Sequence, residues 1–241
     1  MHPAWSIIFF TSISGLGLGL AGLIVLGLLD LSLSLHLFAA SLAVFGLIGA
    51  GLLSSTLHLG HPERAWRALS QWRSSWLSRE GVLAILVLAS LGCWFAFNFF
   101  FGPPPLWSGI LILLLIVATV YATSMIYGSL KTVACWHHPL TPVCYLMFSA
   151  CGGSVAFLTM LALFGQASPG ILKEITLAFL IGAWILKYAW WWALDNRGSA
   201  SNLETATGLG MIGKVRSLMP PHTSENYLQK EMGFVVARRH A

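Results

Sequence analysis

The sequence predicts an all-α protein: a polytopic transmembrane bundle of six spans, followed by a polar C-terminal tail. Three observations carry this expectation. Of the 241 residues, 57% are hydrophobic and only 9% charged, against about 25% charged in ordinary soluble domains. So few charges leave too little polar surface for a water-facing exterior. Six apolar runs are each close to the roughly 20 residues that a helix needs to cross a bilayer. The runs are continuous instead of alternating, which favours helices over the strands of a barrel.

The first span is placed at Trp5–Leu29. No basic stretch precedes it and it is too long for a signal-peptide core, so it is expected to remain in the mature protein. It is rich in glycine (Gly15, Gly17, Gly19, Gly22 and Gly27). Gly15 and Gly19 make a small-xxx-small step of the kind that lets helices approach closely. The second span, Leu35–Leu57, follows a short link at 30–34. The third, Val82–Phe101, is joined to the fourth, Leu106–Leu130, by the stiff turn Gly102-Pro103-Pro104-Pro105. A loop at 131–142 holds Trp136, His137 and His138. The two histidines are predicted to cap the fifth span, Val143–Phe164. A polar turn at 165–174 leads into the sixth, Ile175–Leu194. The sequence thus divides into a bundle at 1–194, with an interfacial helix at 62–77, and a tail at 195–241. Cys93, Cys135, Cys144 and Cys151 form no CxxC pair and read as small apolar packing residues; Cys144 and Cys151 are spaced to share a helix face.

The formal net charge of +5 argues for membrane orientation and not for nucleic-acid binding. With six spans, Arg64, Arg67, Arg73, Arg79, Lys131 and the six basic residues of the tail fall on the side of the N-terminus. Only Lys173, beside Glu174, falls on the other. Lys187 lies within the sixth span and can snorkel to the basic side. The positive-inside rule puts both termini in the cytoplasm.

Residues 58–80 read HLGHPERAWRALSQWRSSWLSRE and concentrate four arginines, three tryptophans, two histidines and two glutamates. Pro62 suits a first helical turn. Ala65, Leu69, Trp72 and Trp76 recur at helical spacing, while Arg64, Arg67 and Arg73 point elsewhere. This describes an amphipathic helix on the membrane surface. A plain interfacial anchor accounts for it equally well, with tryptophans in the aromatic belt and arginines on headgroups. His58 and Glu80 go beyond that reading. They stand where the second span leaves the membrane and the third enters, and ionisable groups at such depth are functional candidates. Arg79, adjacent to Glu80, is placed for an ion pair with it.

Quinones suit this setting. The tail partitions into lipid, and the head, which exchanges two electrons and two protons, needs hydrogen-bond partners at the interface. A histidine can donate to a quinone oxygen near neutral pH, and a carboxyl can pass the proton towards water. The residues leave two other classes open. A b-haem anchor would need facing histidines; His36, His58, His61, His137 and His138 all lie at span ends, which disfavours haem b without removing a surface pair such as His58 and His137. A transporter would want polar groups at mid-membrane, where this sequence offers mainly Ser and Thr.

HLGHPERAWRAL with SSWLSRE, WHHPLTPV at Trp136–Val143, and PPHTSENYLQKEMGF within the tail resemble the membrane anchor subunit of the bacterial DMSO reductase family, which also includes the anchor of the cytoplasmic sulfite dehydrogenase. The resemblance implies a helical anchor without a catalytic metal. It implies docking to an iron–sulfur electron-transfer subunit and, through it, to a molybdopterin catalytic subunit, with electrons exchanged with ubiquinone or menaquinone. It maps the quinone site onto His58, Gly60, Arg64 and Glu80, with Arg67 and Arg73 alongside; His58 and Glu80 would handle protons. Gly60 would let the backbone turn beside His58. Members commonly have eight spans, whereas six precede the polar tail here.

The resemblance leaves a choice between sulfite oxidation and DMSO reduction. Its DMSO reductases work on the outer face of the membrane and its sulfite dehydrogenases in the cytoplasm. Basic residues gathered in the arginine loop and tail favour the cytoplasm, and hence sulfite oxidation in the bacterial inner membrane. The tail, with apolar anchors at 219–221 and 227–236, then reads as a partner-docking surface.

Overall fold

In the computed structural model of the protein, the described residues are 5–56, 62–131, 133, 135–196, 203–216 and 218, less the side chains of 62–65, 68 and 205. Every regular element among them is helical: α1 (Trp5–Ile24), α2 (Ser34–Thr56), a 3-10 helix (Pro62–Gln71), α3 (Trp76–Phe101), α4 (Leu106–Gly128), α5 (Leu140–Leu163), α6 (Gly170–Asp195), the short α7 (Leu203–Thr207) and one further 3-10 turn (Leu209–Met211). Five helices, α1 to α5, are long and apolar enough to cross a membrane. The sixth predicted span falls within α6, which is 26 residues long but is not among those five. Lys187 and the run Trp190–Trp192 make its second half less apolar than the aliphatic runs before it.

Glycine makes α1 the centre of the bundle, with α2, α4 and α5 packed around it. The backbone of Gly19 touches that of Gly153 on α5, and a Cβ on Gly19 would run into the Ser149 carbonyl. The Gly51 position on α2 is filled by the backbone and Cβ of Ser14, and that of Gly109 on α4 by the Val25 carbonyl. Lipid gives apolar helices no hydrophobic reason to associate, so close backbone approach and interhelical hydrogen bonds do that work. Ser149 Oγ donates to Gly15 O (2.7 Å) and Ser54 Oγ to Ser6 O (2.9 Å). The predicted Gly15–Gly19 step is thus realised unequally: Gly19 admits α5, while Gly15 faces open space and contributes only its carbonyl. Outward-facing Phe99, Phe100, Phe101, Trp107, Leu114 and Leu163 are exposed, as lipid-facing surface must be.

One end of the bundle collects the turns after α1, α3 and α5. Gln166 clasps the first turn, accepting from Asp30 N–H (2.9 Å) and donating to Asp30 O (2.7 Å). The Ser32 N–H on Asp30 Oδ1 (2.9 Å) holds that carboxyl below its ordinary 3.8. A folded-state value below the unfolded one means the contact supports the turn above pH 3.8 and is lost as pH falls through the depressed value. Gly102 closes α3 at φ 86°, with its N–H on Asn98 O; only glycine takes that conformation freely. His36 stacks on Phe164 at 4.2 Å, also at this end.

The opposite end carries the 3-10 helix and the 131–139 loop, and its helix boundaries depart from those read in the sequence. The interfacial helix is a 3-10 helix ending at Gln71, not an α-helix to residue 77, and α3 begins at Trp76, six residues before Val82. An apolar run is broken on paper by Arg79 and Glu80. In the fold both charges are accommodated, one on backbone carbonyls and one in the bundle. Of the two histidines predicted to cap the fifth span, His138 does so, its Nδ1 accepting from Leu140 N–H (3.1 Å), whereas His137 serves the helix before, its Nδ1 lying 2.6 Å from Gly128 O, the last carbonyl of α4. That carbonyl can only accept, so Nδ1 is the protonated nitrogen. Among the described residues the cysteines form no disulfide; Cys144 and Cys151 are both buried on α5.

Candidate functional site

The arginine-rich segment is held on α3 by one contact and one clamp. At three residues per turn, Trp66 and Leu69 fall on one side of the 3-10 helix, and Trp72 follows just past its end at Gln71. Leu69 Cδ2 fills the space beside Gly81 that a side chain there would need, while Trp66 and Trp72 stay exposed. Arg79 does not pair with Glu80, correcting that expectation. Its guanidinium donates to Trp72 O (3.0 Å) and Arg73 O (2.7 Å) and covers the Trp76 ring at 4.3 Å. A cation on the carbonyls just past a helix C-terminus is electrostatically favourable, and here it ties the segment to the first turn of α3.

Glu80, one residue later, points the other way. It is 5% exposed, and its Oε1 accepts from Thr123 Oγ1 on α4 at 2.5 Å. The same hydroxyl also lies 3.1 Å from Thr119 O. A hydroxyl has one proton, so two acceptors compete for it. A proton carried by the carboxyl would end the competition by donating to Oγ1. Around it, Tyr127 stacks on Tyr145 (5.9 Å, 23°) and meets Trp136 edge-on at 5.3 Å.

Thr123 also lines a cavity of about 470 Å³ between α1, α4, α5 and α6, together with Thr11, Ser12, Tyr145 and Lys187. A second cavity of about 310 Å³ shares Thr11, Tyr145 and Lys187 with the first. Lys187 Nζ sits over the rings of Trp190 (4.1 Å) and Trp191 (5.2 Å). It thus leans towards the C-terminal end of α6, the direction predicted for a snorkelling lysine.

Residues 1–195 match the family described as DMSO reductase anchor subunit (DmsC). The protein belongs to that family. A sulfite dehydrogenase subunit from Allochromatium vinosum is 35% identical over 173 residues, covering 64% of this sequence and 53% of that relative. A component of the anaerobic dimethyl sulfoxide reductase of Escherichia coli is 27% identical over 168 residues, 67% of this sequence and 58% of that relative. The match spans just over half the length of these two relatives. No solved structure matches it.

Within this DMSO reductase anchor fold the predicted site residues part company. Glu80 is buried in the bundle. Arg67 and Arg73 are exposed, each with its guanidinium 5.5 Å from the ring of its neighbouring tryptophan, Trp66 or Trp72. Arg64 belongs to the 3-10 helix, but its side chain lies outside the described residues, as do His58, Gly60 and His61 altogether. The haem pairing of His58 with His137 also falls partly outside them. His36 lies at the opposite end, and no group of three His, Cys, Asp or Glu gathers for a metal among the described residues. Sequence reasoning missed Thr123 and Tyr145. Both are ordinary span residues, and only contact with Glu80 and with the cavity marks them. A threonine and a tyrosine near the same end of adjacent spans were the available signal.

Proposed function

We propose that this multi-pass membrane protein is the anchor and quinone-reactive subunit of a molybdenum oxidoreductase. It passes electrons between an iron–sulfur subunit and the quinone pool and does no chemistry on the primary substrate. The observation that carries this reading is Glu80: a carboxyl buried at the foot of an arginine- and tryptophan-rich surface helix, with a hydroxyl partner that leaves room for a proton. Quinone reduction or oxidation at an interface needs such a proton-exchanging group within the membrane boundary. Glu80 exchanges one proton and His58 the other, while Arg64 and Gly60 shape the approach to the quinone oxygen. Arg67, exposed on the 3-10 helix, and Arg73, exposed in the turn after it, meet the quinone rim or the partner.

In this reading α6 is the sixth span, so both termini share the side that carries the arginine segment, the cytoplasmic side of a bacterial inner membrane. That favours a cytoplasmic catalytic partner, with electrons flowing from sulfite to quinone. The Allochromatium relative, named for sulfite dehydrogenase, supports the same choice; quinol oxidation for DMSO reduction is the second reading, supported by the name of the Escherichia coli relative. Affinity purification of the protein from detergent-solubilised membranes of its source tests the assembly. Molybdenum and iron should copurify in fixed ratio to it, with sulfite:quinone turnover. A reduced-minus-oxidised spectrum with stoichiometric b-haem, and no molybdenum, would instead favour a cytochrome anchor.

A further inference from the structure

We infer that Glu80 exchanges its proton with water through the interior of the bundle, by way of Thr123 and the hydroxyl-lined cavity that holds Tyr145 and Lys187, and not across the arginine-rich surface above it. This deepens the proposed quinone reaction and rests on it.

Among the described residues, packing crowds the direct way out. Leu69 occupies the space beside Gly81, Arg79 is committed to the Trp72 and Arg73 carbonyls, and Trp76 meets Tyr121 edge-on at 5.9 Å. The carboxyl itself faces α4 and bonds to Thr123. Thr123 forms part of the wall of the first cavity. The second cavity, which passes Ile7, Thr141 and Trp190, lies beside it and shares Thr11, Tyr145 and Lys187 as lining. Ile7 is near the start of α1, Thr141 is the second residue of α5, and Trp190 is in the last turns of α6. All three lie at the same end as the 3-10 helix, so the inferred route enters there, crosses the wall that the two cavities share, and meets Glu80 through Thr123.

The lining suits water. A cavity of this size holds several molecules, provided polar partners are present. Lys187 has no carboxylate partner among the described residues; its ammonium lies over two indole rings. The Tyr145 hydroxyl has no hydrogen-bond partner among them either. Lys187 and Tyr145 line both cavities and give a water chain polar groups to bind, and an ionisable residue within a span is a pathway candidate.

The step balances as quinone plus two electrons plus two protons giving quinol, or its reverse. The electrons come from, or return to, the iron–sulfur partner. In the reducing direction Glu80 gives one proton to a quinone oxygen. Thr123 Oγ1 then donates its proton to the carboxylate while accepting one from cavity water, which is reprotonated from bulk water at the surface; His58 supplies the second proton of the quinol. Lys187 and Tyr145 are positioning residues that hold that water in line.

The test uses the assembled complex in membranes, with quinone-coupled and dye-coupled turnover measured in H2O and D2O. Thr123→Val removes the relay hydroxyl and Thr123→Ser keeps it. The expected result is a fall of about tenfold or more in quinone-coupled kcat for Thr123→Val, a larger solvent isotope effect, an unchanged KM for quinone, unchanged dye-coupled activity, and recovery in Thr123→Ser. Lys187→Met lies apart from the Glu80 contact and reads the same route if Thr123→Val fails to assemble; it should lower kcat and raise the isotope effect in the same direction. Parental kcat and isotope effect in Lys187→Met and in any assembled Thr123→Val would overturn the route while leaving Glu80 its role. Parental quinone turnover in Glu80→Gln would overturn the quinone reading itself.

Discussion

Glu80→Gln is expected to lower quinone-coupled turnover of the assembled complex roughly 100-fold, the low end of what a positioned proton donor or acceptor contributes. Dye-coupled oxidation of the primary substrate should continue at the parental rate. The substitution is chosen for what it keeps. Glutamine has the size of glutamate, fits a site that is 5% exposed, and can still accept from Thr123 Oγ1. What it lacks is a proton to give or take. A structural role for Glu80 would therefore survive the change, and a proton role would not. The comparison of the two assays assigns the loss to the membrane step, because the dye takes its electrons before the quinone does.

Deletion of residues 205–241 is expected to release the iron–sulfur subunit from membranes, weakening its retention by at least about tenfold, the equivalent of one anchor contact of roughly 1.4 kcal/mol. The part of the tail that is described points outward. Met211 is 99% exposed, Ile212 84% and Leu218 87%, with Lys214 and Arg216 interleaved. Large apolar side chains bare to solvent next to cations make poor surface and good contact material. The tail's further apolar anchors, at 219–221 and 227–236, lie outside the described residues. Membrane fractions blotted for the iron–sulfur subunit, with the anchor itself as control for insertion, give the answer; full retention would place the docking surface elsewhere, the 3-10 helix with Trp66 and Trp72 being the alternative.

Much of the helical architecture was legible because its causes are local. Long apolar runs, a Gly-Pro-Pro-Pro turn and a histidine ahead of a helix start each act within a few residues of themselves. The Gly15–Gly19 step was legible as a packing signal, yet its partner, Gly153, stands on another helix and no spacing announces it. The start of α3 was misread for the same reason. Arg79 and Glu80 look like the end of an interfacial segment. The carbonyls that receive Arg79 come from a turn six and seven residues back, and the hydroxyl that receives Glu80 lies 43 residues on. One half of the candidate site is a matter of composition, a cluster of His, Arg and Glu at a span boundary, of which Glu80 is seen buried in the bundle while His58 and Gly60 lie outside the described residues. Its other half, Thr123 with the cavity behind it, exists only once α3 and α4 are side by side. Lys187 was noticed as a lysine in a span, but its position on a cavity shared with Tyr145 could not be read from α6 alone.

The quinone site itself is tested most directly by His58→Ala in the purified complex, read as the ratio of quinone-coupled to dye-coupled turnover. A fall in that ratio of roughly 100-fold, with dye-coupled turnover intact, is the predicted result. A ratio equal to that of the parental complex would contradict a quinone site between the second and third spans.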